Sequence, residues 1–428
     1  MSRRRAQNKA AARRARQRRR QAKRLERQTQ PRTFLHAITS GALALPGLAD
    51  RASAESAPLE MRADYKYSQY SEDSLDSGKA APGSERDRYE IDIHQFRFEA
   101  PVGDRWGVGL ELAHETMTGA TPWYVTPGAT PADDPVQVMT GATIDEARTD
   151  AMLTGTRYLD RGTLSGSTGV SIENDYLAVN LGVNGERQFN EKNTTVSAGI
   201  GGSFDQIEPV DTDLFPTRPD KENKQTYNLS LGASQVLGRA TTIQSSLKYQ
   251  LSDGFLSDPY KLAFVANIPE TDERPDQRHQ FSWLTRFRHH FTRMGGTLHL
   301  DYKLGVDDWG INAHEFELAW YQTLFERIRL IPSLRYYSQS QADFYAPFYV
   351  GPRSDGYRSS DYRLSPYGAF AYRLKAAARF QTWQLLWDAN VSFERYESAS
   401  DLAIQSVEVE NPGLVSYNLF SVGLTARF

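Results

Sequence analysis

The sequence predicts an all-β fold: a transmembrane, antiparallel, up-and-down β-barrel of about sixteen strands with both termini on the periplasmic side. Three observations predict it. Apolar and polar residues alternate along most of the chain, many alternating segments reach about ten residues, and the chain ends on such a segment. No stretch approaches the roughly eighteen apolar residues of a membrane-spanning helix, which excludes a helical inner-membrane protein.

The first segment, residues 1–54, is expected to be a basic leader followed by a cleaved signal peptide. Residues 1–32 carry fourteen Lys or Arg, an apolar stretch covers residues 34–45, and Ala52-Ser53-Ala54 has the form of a cleavage site. A basic RNA-binding or membrane-surface helix and a start assigned too early are the alternatives. The remainder, residues 55–428, is expected to be the barrel. Its excess of acids argues against nucleic acid as a partner.

The alternation is clearest at the end of the chain, where Val422, Leu424, Ala426 and Phe428 share one face and small or polar residues share the other. Successive side chains of a strand point to opposite faces, so this segment has one apolar and one polar face. Its terminal Phe428 predicts recognition by the barrel-assembly machinery. A phase slip at His94-Gln95 predicts a β-bulge there.

A soluble β-sandwich or propeller would bury the apolar face, whereas a membrane barrel turns it toward lipid and keeps a polar lumen. The barrel is favoured because the segments exceed the usual length of about five or six residues in soluble strands. The polar face also carries many charges. Aromatic residues near the segment ends fit the interfacial girdles of such barrels. They include Trp309, Trp320, Tyr321, Phe344, Tyr345 and Tyr396.

The predicted strands are joined alternately by short turns and long loops. The strands are residues 59–70, 87–101, 104–118, 142–160, 162–173, 176–189, 193–207, 223–236, 239–252, 278–291, 295–306, 310–324, 327–342, 363–375, 379–396 and 414–428. The long loops are residues 71–86, 119–141, 208–222, 253–277, 343–362 and 397–413, and one of the short turns is residues 376–378. Short turns face the periplasm in outer-membrane barrels, which places the long loops outside.

A barrel of about sixteen strands leaves an aqueous channel unless a loop fills it. Its pore-lining candidates are charged residues at polar-phase positions, and rings of charge set the selectivity of pores. Late strands are richer in Arg and early strands in acid, which predicts a transverse field; the alternative is a salt-bridged interior that braces the wall. The candidates are Arg286, Arg288, Lys303, Asp301, Arg335, Glu317, Arg373 and Asp388.

The loop motif Ser257-Asp258-Pro259-Tyr260-Lys261 lies in one of the long loops. Pro259 fixes its own φ and Asp258 is suited to cap the turn. Two interpretations stay open: the motif folds inward and narrows the pore, or it is a structural turn that docks its loop on the rim.

The chain from about residue 59 onward resembles a family of uncharacterised bacterial outer-membrane β-barrel proteins. The resemblance rests on motifs such as Ser257–Lys261 and Ser333-Leu334-Arg335-Tyr336-Tyr337-Ser338-Gln339-Ser340. It implies an outer-membrane barrel reached by export, and no established activity. Members of the family are often encoded beside a small lipoprotein, a thioredoxin-like protein and a flavin-attaching transferase. This neighbourhood implies a periplasmic redox or lipoprotein partner.

The expected function is a passive pore for small solutes in the bacterial outer membrane, with lipid as its surroundings. The alternative is a non-enzymatic scaffold or sheath for an envelope redox or metal-handling system. The absence of Cys excludes Cys nucleophiles and Cys-ligated metals, and no lipase motif joins Ser to His. His289 and His290 point to opposite faces of a strand and so cannot share a metal unaided. No enzymatic activity, cofactor or metal is therefore expected.

Overall fold

The computed structural model describes residues 60–128, 134–140, 144–383 and 385–428; of residues 144 and 145 only the backbone is described. The predicted leader, residues 1–54, lies outside this part. The strands are β1 (Arg62–Glu72), β2 (Glu90–Val102), β3 (Trp106–Gly119), β4 (Pro122–Thr126), β5 (Val136–Met139), β6 (Ile144–Leu159), β7 (Gly162–Ile172), β8 (Tyr176–Phe189), β9 (Thr194–Ile207), β10 (Glu222–Gly238), β11 (Thr241–Gly254), β12 (Leu262–Val265), β13 (Ile268–Thr271), β14 (Gln277–Phe291), β15 (Gly296–Asp307), β16 (Asn312–Leu324), β17 (Ile328–Gln339), β18 (Tyr367–Thr382), β19 (Leu385–Ala399) and β20 (Tyr417–Arg427). One short 3-10 helix, Tyr362–Leu364, precedes β18.

Sixteen of these strands form one closed antiparallel barrel, which confirms the predicted fold class. Each strand pairs with its neighbours along the chain, and β1 closes the ring by pairing with β20 from Arg62↔Arg427 to Glu72↔Tyr417. Next to the β1–β20 pairing, the backbone N–H of Met61 donates to the Phe428 carbonyl at 2.9 Å. The other four strands form two hairpins, β4–β5 and β12–β13, within long connections. Closure leaves no free edge, as a strand structure in lipid requires.

The outward face of the barrel is apolar. Leu181, Ile200 and Leu229 are 53%, 66% and 48% exposed, and comparable side chains occupy outward positions on every wall. A continuous apolar surface of this extent is stable in lipid rather than in water. The described residues contain no helix that is long and apolar enough to cross a membrane.

The predicted aromatic girdle is wrong in most of its members. Trp309, Phe344 and Tyr345 are buried at the long-loop end, because their connections fold back over the barrel. Tyr321 and Tyr396 are on the inward phase of their strands. Their prediction depended on their position near a strand end, and that position does not determine which face a side chain occupies. Of the predicted residues, Trp320 does lie on the outward phase near the short-turn end. Other outward aromatic residues include Trp106, Phe189, Phe291 and Phe380 near the short-turn end and Phe204, Tyr227, Tyr249 and Phe281 near the long-loop end.

The predicted bulge at His94-Gln95 is also wrong, because β2 pairs residue for residue with both of its neighbours. The apolar Ile91 and Ile93 therefore face inward, where they join a buried cluster. His94 faces outward, and its Nδ1 lies 2.8 Å from the hydroxyl of Tyr65. Apolar packing near the mouth thus replaces the strict alternation at this point.

The connections mostly alternate in length around the ring, as predicted, and residues 173–175 and 308–311 are the short connections at the long-loop end. Short ones join β2 to β3, β6 to β7, β8 to β9, β10 to β11, β14 to β15, β16 to β17 and β18 to β19, at the end where β20 also finishes. One turn was predicted wrongly: Ala376–Ala378 lie within β18, opposite Val391 to Ala389 of β19. The strand continues because Arg379 pairs with Asp388 across the ladder at 2.9 Å. The turn falls after Thr382.

Candidate functional site in the barrel lumen

All eight pore-lining candidates lie on the inward phase, as the strand register shows. Seven of them are joined in ion pairs along the wall. Arg286 and Arg288 pair with Asp301, the former at 3.6 Å. The remaining pairs are Arg373 with Glu317 at 2.8 Å, Arg335 with Glu394 at 3.1 Å, and Asp388 with both Arg379 at 2.9 Å and Arg427 at 3.0 Å. These pairs brace the wall in the way that the structural alternative predicts.

Lys303 differs from the other seven. Among the described residues it has no ion pair, although Glu315 is its register partner on β16. The ammonium groups of Lys303 and Lys248 are close enough to repel each other. A basic group without a counter-ion faces the lumen here, and it is available to a dissolved anion.

The inward charges are divided between two opposite walls. On β14 to β18, Arg278, Arg286, Arg288, Lys303, Arg335, Arg373 and Lys375 outnumber Asp301, Asp307, Glu315 and Glu317. On β3 and β6, about halfway round the ring, Glu111, Glu115, Glu146 and Asp150 outnumber Arg148. The inward positions of β7 to β10 between them are mainly Ser, Thr, Gly and Asn. The arrangement matches the predicted transverse charge separation.

The connections 73–89, 255–276, 340–366 and 400–416 pack together over the long-loop end, and we call this assembly the cap. The 340–366 and 400–416 connections are joined by Asn411, whose side-chain amide donates to the Tyr345 hydroxyl at 2.9 Å and to the Ser360 carbonyl at 3.0 Å. Neighbouring connections are tied as well. The Arg88 guanidinium donates to the Gly413 carbonyl at 3.2 Å, and the Lys261 ammonium donates to the Pro122 carbonyl at 3.0 Å.

The cap extends from one side of the mouth to the other. The ring of Tyr362 is half-buried, with the Arg88 guanidinium 5.8 Å and the Lys261 ammonium 5.9 Å from its centroid. Arg88 follows β1 and Lys261 follows β11, strands on opposite sides of the ring. The Tyr362 side chain therefore links connections that come from opposite sides of the mouth.

The centre of the cap is a cluster of buried charges. Arg363 donates from Nε to Asp361 at 2.8 and 2.9 Å and from Nη2 to Asp258 at 3.0 Å. Arg274 donates to Asp272 at 2.6 Å and to Asp361 at 3.0 Å. Burial would raise the pKa of Asp361, but Arg363, Lys261 and Arg274 hold that pKa well below its usual range. The cluster stays ionised because each carboxylate has a guanidinium partner.

The loop motif is part of this cap. Asp258 and Lys261 are buried, and Asp258 also accepts from the Tyr260 backbone N–H at 3.1 Å, which fixes the turn at Pro259. The Tyr260 hydroxyl donates to Asp175 and accepts from the Val210 N–H at 3.1 Å. The motif is therefore a structural turn placed within the mouth, which combines features of both interpretations.

A cavity of about 320 Å³ lies directly beneath the cap, against the β14–β17 wall. Its basic lining residues are Arg274, Arg278, Lys303 and Arg363, and its acidic ones are Asp307 and Glu315. Arg278 donates from Nε to Asp307 at 2.9 Å, so that pair is internally neutral. Arg274 and Arg363 are paired with the acids of the cap, so Lys303 is the basic lining residue without an ion pair among the described residues. The cavity is a charged chamber beneath the cap.

Sequence reasoning missed Asp272, Asp361 and Arg363 as functional candidates. Each acid precedes an Arg by two residues, in Asp272-Glu273-Arg274 and Asp361-Tyr362-Arg363. This spacing inside a long loop was the available signal. Within the described residues, no group of three or more His, Asp or Glu is placed to hold a metal ion.

Solved structures with a similar arrangement include a bacterial polysaccharide outer membrane secretin, with TM-score 0.45, 8% identity, and coverage of 86% of this chain and 98% of that one. A loop L8 deletion mutant of OmpT, an outer membrane protein of Vibrio cholerae, matches with TM-score 0.41, 9% identity, and coverage of 86% and 98%. A Pseudomonas aeruginosa FadL homologue matches with TM-score 0.38, 9% identity, and coverage of 86% and 89%. Likenesses at this level assign no function to the chain.

No protein with a curated description matches the sequence. One family model does, and it covers residues 35–416. This range is well over half of the chain and includes every barrel strand except β20. The chain therefore belongs to the family described as Protein of unknown function (DUF3570).

Proposed function

We propose that the protein is an outer-membrane channel that lets small anionic solutes cross passively along the basic wall of its lumen. The observation that carries the proposal is Lys303: a lumenal cation without an ion pair among the described residues, in the chamber beneath the cap. A basic wall opposite an acidic wall orients a passing solute, and it favours solutes of one sign of charge. In this proposal the apolar outer face lies in lipid, and the short-turn end faces the periplasm.

The cap has a defined part in this function. Its loops cover the chamber, so the solute path is narrow or closed while the charge cluster of Asp258, Asp361 and Arg363 is intact. Opening requires these pairs to separate. The proposal also keeps export by the signal peptide and recognition of the C-terminal strand, ending in Phe428, by the barrel-assembly machinery.

The alternative, a scaffold or sheath for a periplasmic redox or lipoprotein partner, predicts a wide lumen with few inward loops. The packed cap differs from that expectation, so the channel is favoured. A redox partner at the periplasmic end remains compatible with either proposal.

The test is single-channel conductance of the protein, purified from outer membranes, in a planar bilayer under a salt gradient. We expect stable current steps with a reversal potential on the anion side. Lys303→Glu should move the reversal potential toward cation selectivity, whereas Lys303→Arg, the matched control, should leave it near the wild-type value. Cation selectivity in the wild type, or no steps from either the wild type or a cap variant such as Arg363→Gln, would overturn the proposal.

A further inference from the structure

A second cavity, of about 540 Å³, opens on the long-loop end and is separate from the lumenal chamber. Connections that follow β3, β9, β11 and β17 each contribute to its walls. The residues that define it are Trp123, Phe215, Arg218, Tyr260, Leu262 and Arg358. Its size is within the range of about 300–1,000 Å³ that small-molecule sites occupy.

Arg218 is the unusual group in this cavity. Its side chain is deeply buried, at 7% exposure, between the rings of Phe215 and Tyr260, with centroid distances of 4.0 and 4.8 Å. Its Nη1 donates to the Val210 carbonyl at 2.9 Å. Within the described part of the chain no carboxylate lies at ion-pair distance from it. Burial without such a partner lowers the pKa of Arg218, so an anion bound beside it would be stabilised.

The second basic group of the cavity, Arg358, does have an ion pair. Arg358 pairs with the Glu270 carboxylate at 3.1 Å, so the one acid of the cavity is already matched. The remaining lining residues are mainly apolar or aromatic, among them Trp123, Leu262 and Phe215, and two are threonines, Thr217 and Thr271. The cavity thus offers one guanidinium that has no ion pair within the described part of the chain, although Asp211, Asp258 and Asp175 attract it electrostatically.

We infer that this cavity binds a small aromatic carboxylate, with the carboxylate on Arg218 and the ring against Trp123 and Tyr260. A planar guanidinium matches a carboxylate with two parallel hydrogen bonds. Aromatic walls favour a flat ring by stacking or edge-on contact. Arg218 and Tyr260 are held by the loop packing around Asp175 and Val210, so the site is formed before the ligand arrives. The inference does not depend on conduction through the barrel.

The experiment is isothermal titration calorimetry of the full protein in detergent, with benzoate as the probe. Benzamide keeps the ring and removes the charge, while gluconate keeps the carboxylate and removes the aromatic ring. We expect saturable binding of benzoate and at least about tenfold weaker binding of both other probes. Benzamide loses the hydrogen bonds between the carboxylate and the guanidinium, each worth roughly 1.5–3 kcal/mol. Gluconate loses the contacts of the ring with the aromatic walls.

Arg218→Gln should weaken benzoate binding by a similar factor of about ten. Arg353→Gln removes a charge from the same end of the barrel at an exposed pair with Asp355, so binding should be unchanged in this control. Heat-modifiable migration in a gel verifies that each variant is folded. No benzoate binding, equal binding of benzamide or gluconate, or full binding by Arg218→Gln would each overturn the inference. The comparison of benzoate with benzamide uses the wild type alone and so does not depend on the folding of a variant.

Discussion

Arg363→Gln tests whether the charge cluster holds the cap closed. The substitution removes four charge-assisted hydrogen bonds, three to Asp361 and one to Asp258. Both carboxylates are almost fully buried, at 0% and 5% side-chain exposure. Removing one partner of a buried ion pair costs about 3–5 kcal/mol, because the other charge is left uncompensated.

The lower end of this range, about 3 kcal/mol, is expected here. Asp361 keeps its contact with Arg274 at 3.0 Å, and the Lys261 ammonium still acts on it. The loss falls on the cap rather than on the barrel, because no barrel ladder includes these residues. The structure therefore predicts a cap that opens on an intact sixteen-stranded wall.

Two assays measure the outcome. Single-channel recordings should show larger current steps or a higher open fraction in Arg363→Gln than in the wild type. Limited proteolysis should cut the 340–366 connection at lower protease concentration, while heat-modifiable migration stays unchanged. Arg353→Gln, which breaks an exposed pair on the same connection, is the matched control and should behave as the wild type in every assay. If Arg363→Gln has the same currents and the same protease sensitivity as the wild type, the charge cluster does not hold the cap closed.

Two further predictions concern packing and pH. In Gly368→Ala the new Cβ would overlap the Leu402 carbonyl, so we expect a loss of about 1–3 kcal/mol and a lower temperature of heat modification, whereas Gly155→Ala, whose Cβ meets open space, should have no effect. Burial raises the pKa of Asp175 from 3.8 to about 6, so the folded protein binds a proton that the unfolded chain lacks, and stability falls as pH rises through this window. Asp175→Asn should therefore be stabilising relative to the wild type at about pH 7.5, by at most about 3 kcal/mol, keep only about half of that advantage at about pH 5, and lose it below about pH 4. An equal difference between the two proteins at both pH values would contradict the raised pKa.

The barrel could be predicted from the sequence because its rules are local. A side-chain period of two fixes the faces of a strand, and a closed ring needs only neighbours along the chain. The inward positions of Arg286, Asp301 and Arg335 follow from their places in the alternating pattern of each strand. The charge difference between the late and early strands follows from the same pattern. The errors have the same origin. The bulge at His94-Gln95 was predicted from the apolar pattern alone, whereas β2 runs without a bulge and tertiary packing at the mouth places Ile91 and Ile93 inside.

The cap could not be predicted because its contacts join distant parts of the chain. Asp258 meets Arg363 across 105 residues, and Arg88 meets the Gly413 carbonyl across 325. No sequence periodicity predicts contacts between such distant positions. Each loop, taken separately, has the composition of a polar surface segment. Buried charges are tolerated only where every partner is present at once. The cap therefore depends on the barrel to bring its loops to one end, and we expect the loss of one partner to loosen the cap before it changes the barrel.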